Sequence, residues 1–285
     1  MKASQLLALV VRGWQPLWSL DVLAGLWAGL YLAATRRVRR GWPWPRTIAF
    51  LAGIACVLVA LQSGIGAFDD RLLSDHMIQH LLLLELAPLL LLAGRPGILL
   101  LRCIPPGGRP VLARRLRRLR PLTHPATCLA VFWLTVFLTH LPAFYDATLR
   151  HAALHDAEHM LYLSAGVVMW WPILDGDPFP GWRLNGFARL AYVIVAMLPM
   201  TLLGGYLDRE MAIVYSGYAA PARALGISAV ADQQQAGAIM WVLGSSLMVV
   251  CGLWQAMAAL IDEERRLQVR ERLADSALAD GAHER

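Results

Sequence analysis

Two pairs of histidines, His76 with His80 and His155 with His159, stand four residues apart in the sequence. On a helix, that spacing puts both rings of a pair on one face, about 6 Å apart along the axis, so two imidazoles can be offered to one ion. Imidazole suits copper, zinc and iron, and thioether sulfur favours Cu(I). Met77, Met160 and Met200 are available as soft ligands, or as core packing. Ligation needs neutral imidazole, so metal affinity is expected to collapse as pH falls below about 6.5. One histidine from each of two helices also ligates a b-type haem. A third chemistry is a membrane hydrolase or oxygenase, with His155, Asp156 and His159 as ligands and general base around an open coordination position.

The elements that must position these residues are membrane helices. Of 285 residues, 58% are hydrophobic and 16% charged, with eleven tryptophans, and the mean hydropathy is +0.50. Such a composition predicts an all-α membrane protein rather than a soluble domain. Apolar runs near the length that crosses about 30 Å of hydrocarbon fall at 18–34, 46–66, 76–93, 125–140, 154–174, 187–206 and 235–261. They predict a bundle of seven transmembrane helices in one domain over 1–285, with no repeat or linker. No paired broken helices suggest a transporter. The stretch Leu6 to Val11 ends at Arg12 and has no small-residue cleavage pattern, so no cleaved signal is expected.

Arginine is concentrated in two loops: Arg36, Arg37, Arg39, Arg40 and Arg46 in the first, and eight arginines from Arg95 to Arg120 in the third. Both are expected to be cytoplasmic, which puts the N-terminus outside and, with seven spans, the C-terminus inside. Lys2 and Arg12 argue mildly against this. The leucine and arginine alternation over 109–120 suits an amphipathic segment on the inner leaflet of the lipid bilayer, and no nucleic-acid partner is expected.

On this topology His76 and His80 open the third span, His140 closes the fourth, and His151, His155 and His159 precede or open the fifth. Spans three and five run in the same direction, so the two pairs lie at equal depth at the outer end, where they can form a bundle metal site. His151 is about 12 Å above His159 and turned roughly 80° away, so it cannot share an ion with it; a second ion or an outer turn are its alternatives. Asp21 and Asp156 are candidate carboxylate ligands or orienters of an imidazole, or are simply solvated at the interface. Asp232 fits an N-cap for the seventh span and brings a carboxylate near the histidines. Glu85 lies some 140° around its helix from His80 and stands apart, as a proton relay or as a protonated structural group. Cys56, Cys103, Cys128 and Cys251 have no Cys-x-x-Cys spacing and read as packing.

Three stretches carry a resemblance: HMIQHLLLLELAPLLLLAGRP from His76, YDATLRHAALHDAEHMLYLSAGVVMWWPIL from Tyr145, and DQQQAGAIMW from Asp232. In these the chain resembles the CtaG-type cytochrome c oxidase assembly factors, a bacterial membrane family, across all seven predicted spans. The resemblance implies a non-enzymatic, multi-pass protein of the bacterial inner membrane that helps mature the copper centres of a haem-copper oxidase at the periplasmic face. The family's histidine motifs correspond to His76, His80, His155 and His159. The expected cargo is copper, with haem b or zinc as alternatives, and the expected partners are oxidase subunits or a periplasmic copper chaperone.

Overall fold

The computed structural model describes residues 13–38, 41–118, 120–174, 182 and 184–283. Lys2, Arg12, Arg39, Arg40 and the run Leu6 to Val11 lie outside the described residues. Among the described residues all regular structure is helical. The helices are α1 (Trp18–Arg37), α2 (Trp44–Gln62), α3 (Leu73–Leu81), α4 (Ala87–Ala93), α5 (Pro96–Cys103), α6 (Arg109–Arg117), α7 (Pro125–Thr139), α8 (Pro142–Thr148), α9 (Ala152–Trp170), α10 (Gly186–Arg209), α11 (Ala219–Ala224), α12 (Ala229–Ala238) and α13 (Ser245–His283). Proline in the first turn opens α2, α5, α7 and α8, where its missing N–H costs no intrahelical bond.

Among the described residues, four helices are long and apolar enough to cross a membrane: Trp44–Ala67, Leu73–Cys103, Gly186–Arg209 and Ala229–Arg272. The α7 and α8 pair, bent by 75°, makes a fifth if it is counted as one span. By length and composition, then, four or five of the seven expected spans qualify. Of the other two, α1 carries Asp21, Arg36 and Arg37, and in α9 the run from His155 to His159 interrupts the apolar sequence. The expected amphipathic segment is α6, with Arg109, Arg114 and Arg115 exposed.

One apolar core runs through the bundle, from Met77 and Leu83 through Phe132, Tyr162 and Trp170 to Met200 and Met240. Close helix approach depends on glycine. A Cβ at Gly166 of α9 would stand 2.1 Å from the Leu84 carbonyl oxygen, so only glycine lets α9 lie against the chain between α3 and α4. That chain, Leu82–Leu86, is a π-helical turn, and a second one, Ile239–Gly244, joins α12 to α13. Such turns recur at functional sites. Glu85 lies in the first, fully buried, and packs against Gly244 of the second; neither of its carboxylate oxygens has a hydrogen-bond partner. It faces the last long helix, apart from the histidines. Pro199 does not end α10, which continues to Arg209.

The first and third loops meet at one end of the bundle, where the guanidinium groups of Arg46 and Arg102 stand 5.0 and 5.4 Å from the Trp42 ring. There the Tyr31 hydroxyl donates to the Gly94 carbonyl (2.7 Å) and accepts from the Trp42 indole N–H (2.9 Å), fastening α1. At the opposite end α1 is held by the Gln15 N–H donating to the Gln62 carbonyl (2.7 Å) and by the Gln62 amide donating to Asp21 (2.8 Å).

Candidate metal centre

The histidines converge at the end of the bundle away from the arginine-rich loops. Helix α3 supplies His76 and His80, α9 supplies His155 and His159, and the end of α7 supplies His140. Ring centroids are 4.1 Å apart for His76 and His80, 4.3 Å for His155 and His159, 5.0 Å for His76 and His155, and 6.2 Å for His80 and His159. The two pairs therefore face each other. Two carboxylates join them. Glu158 of α9 has an oxygen 3.8 Å from His76 Nε2 and 3.9 Å from His80 Nε2, and Asp69 has one 3.9 Å from His155 Nε2. Three sets of three ligand atoms each lie within 4.8 Å of one another: His76, His80 and His159; Asp69, His155 and His159; and His76, His155 and Glu158.

The surroundings fix the tautomers. The Tyr218 hydroxyl donates its one proton to the Asp69 backbone carbonyl at 2.8 Å and also touches His76 Nδ1. Burial pushes the Tyr218 phenol up from its ordinary value, so the proton stays on oxygen. His76 Nδ1 must then carry a hydrogen and donate it to that oxygen, leaving a lone pair on Nε2, which faces His80 Nε2 at 2.7 Å. His140 follows the same logic: Nδ1 donates to the Val136 carbonyl (2.8 Å), leaving Nε2 bare and without a partner. The Gln79 amide donates to the Ala60 carbonyl (3.1 Å), which turns its oxygen toward His159 Nε2 (2.9 Å).

Several of these polar atoms are buried without a hydrogen-bond partner, namely His80 Nδ1, His155 Nε2, both Glu158 oxygens and the Tyr145 hydroxyl. Each such group costs on the order of 1–3 kcal/mol, and a cation among them would offset that cost for the nitrogens and carboxylates. Two ligand atoms bound tetrahedrally at about 2.0 Å stand roughly 3.3 Å apart. The observed 2.7, 3.8 and 3.9 Å around His76, His80 and Glu158 bracket that value. Burial pushes the Asp69 carboxyl up to about 7, against a hydrogen bond from Gln79.

The other candidates lie around this centre. His151 is the exposed N-cap residue of α9 and belongs to no ligand set. Asp156 is exposed at the mouth of a cavity beside His155 and belongs to none either. The carboxylate that faces the rings is Glu158, one helical turn on from His155. Asp21 is bonded to Gln62. Met160 lines the cavity, 61% exposed, while Met77 is core. Asp232 does not cap its own helix: that role belongs to Ser228, whose side chain accepts from the Ala231 N–H. Asp232 instead caps α3, accepting from the Leu73 N–H (2.7 Å), the Ser74 N–H (3.3 Å) and the Ser74 hydroxyl (2.6 Å). It thereby fixes the helix end that carries His76. Sequence reasoning missed Asp69, Gln79, Glu158 and Tyr218; only Glu158, at helical spacing from His155, left a signal.

The fold and site define a membrane helical bundle with a polyhistidine, carboxylate-flanked centre at one end. Residues 29–260 match the family described as cytochrome c oxidase caa3 assembly factor (Caa3_CtaG), and the chain belongs to that family. It is also 30% identical, over 92% of its length, to uncharacterized proteins of Mycobacterium bovis and Mycobacterium tuberculosis, and at the same identity and coverage to one of Mycobacterium leprae. The match covers 42% of each of those relatives, so the chain spans about two fifths of their length. No solved structure matches the chain.

Proposed function

We propose that this protein takes up copper at the histidine cluster and passes it to a haem-copper cytochrome c oxidase during assembly, as a carrier rather than a catalyst. The observation that carries this reading is the convergence of His76, His80, His155 and His159 from two helices, with no hydrogen-bond partner for His80 Nδ1 or His155 Nε2. A carrier must release its cargo by ligand exchange, and sets of three ligands with an open position permit that.

The proposal includes seven spans in the bacterial inner membrane, N-terminus outside, with the cluster toward the periplasm. In support, α1 is long enough at 20 residues and exposes Trp18, Val22, Leu26, Trp27 and Leu30 as a lipid-facing side chain set. Helix α9 packs against α7 and α4 inside the bundle, and its Glu158 and His159 are buried against protein. A periplasmic copper chaperone is the proposed donor and an oxidase subunit the acceptor. Rings packed at 4.1–6.4 Å favour an ion over a haem macrocycle between them.

Elemental analysis and an absorption spectrum of the detergent-purified chain test the reading. Copper without a Soret band is expected. His80→Ala and His159→Ala should lower copper content and oxidase activity together, and unchanged copper in both variants contradicts the proposal. An intense Soret band would point to haem, and zinc in place of copper would change the cargo.

A further inference from the structure

The ligand residues separate by access. A cavity of about 540 Å³ opens between the start of α1, the end of α2 and the first turns of α9. Asp69, His155 and His159 line it; His76, His80 and Glu158 do not. These last three are 0%, 2% and 1% exposed and lie behind the cavity wall. They nonetheless make a compact triad, with Nε2 to Nε2 at 2.7 Å and Nε2 to carboxylate at 3.8 and 3.9 Å. The two triads have no member in common, so they can be filled together.

We propose that the cluster holds two cations, a receiving position made by Asp69, His155 and His159 at the cavity and a holding position made by His76, His80 and Glu158 behind it. This rests on the copper-carrier reading and deepens it. The structure also supplies the passage between the two. His76, His155 and Glu158 form a set of their own. It shares His155 with the receiving triad and both His76 and Glu158 with the holding triad. An ion moving inward keeps at least one ligand at each exchange and never has to cross the interior as a bare charge, which would cost far more. The receiving position pairs a cavity-lining carboxylate with two imidazoles, of which His155 is half-buried, and exchanges with the outside. The holding position is reached only through it, and its walls are the stacked Tyr162 ring, 4.0 Å from His80, and the Tyr145 ring, 5.1 Å from His76.

The test is a count and a rate on the full chain in detergent, loaded with Cu(I) under anaerobic, reducing conditions and then mixed with excess chromogenic Cu(I) chelator. Two copper ions per chain are expected, released in two phases of equal amplitude, the second slower by about tenfold or more. Asp69→Asn should retain one copper and lose the fast phase, while Glu158→Gln should retain one and lose the slow phase. A single copper per wild-type chain, released in one phase and lost in both His80→Ala and His155→Ala, overturns the two-position inference and leaves the carrier reading intact. No copper in the wild type overturns both. The wild-type count and phases decide the matter even if a variant fails to fold.

Discussion

His76 shows how a single residue's role is set by what lies behind it. Its Nε2 is free to ligate because the Tyr218 hydroxyl, committed to the Asp69 carbonyl, forces the hydrogen onto Nδ1. Tyr218→Phe removes that constraint. Loss of such an outer hydrogen bond typically weakens metal affinity by about 10–100-fold, and a competition titration against a chelator of known affinity should show it with helical content unchanged. Protons compete for the same atoms. Asp69, which burial holds near 7, must be ionised to ligate, so copper held by the Asp69, His155 and His159 set should be lost as pH falls through about 7; equilibrium dialysis at a series of pH values checks this. In the metal-free protein Asp69 acts with the other sign. Its folded value lies above the unfolded value of about 3.9, so the fold binds that proton more tightly and loses stability as pH rises from about 4 to 7. The histidine pairs were legible in the sequence because four-residue spacing is a local property of a helix. Asp69 and Tyr218 were not, since they reach the site from loops whose placement depends on the packing of the whole bundle.

Helix α3 is set in place by contacts at its end and along its continuation. Asp232 satisfies its first N–H groups from a helix distant in sequence. Capping residues contribute about 0.5–2 kcal/mol, so Asp232→Ala should lower thermal stability in detergent by that order, and copper retention should fall with it because the His76 end is freed. The sequence pattern identified Asp232 as a cap but attached it to the wrong helix: cap chemistry is readable from residue type, whereas the helix it serves is a tertiary fact. Gly166 tests the other contact. The Cβ of Gly166→Ala would meet the Leu84 carbonyl oxygen and the Pro88 ring at 2.1 and 2.6 Å, and overpacking of this kind costs about 1–3 kcal/mol. Moving α9 off the π-helical turn would also separate the two histidine pairs, so reduced copper content is expected alongside a lower unfolding temperature.

For the whole molecule, the all-helical membrane character followed from composition, and the arginine-rich loops do meet at one end. The number of spans was harder to read, because the helix that contributes His155, Glu158 and His159 gives up the apolar character by which a span is recognised. Seven crossings with the histidine end outside predict that His151→Cys, at the exposed start of α9, reacts in intact cells with a membrane-impermeant maleimide, while a cysteine placed at Arg115 reacts only after lysis. The reverse pattern would invert the topology. The long-range clamp on α3 also has a consequence in time. Leu73 and Asp232 are separated by 159 residues, which a ribosome working at about 5–20 residues per second takes roughly 8–30 s to add. Throughout that interval the emerging chain displays His76 and His80 without the carboxylate that fastens their helix, so on the proposed reading the site for the ion is completed only once Asp232 has been added.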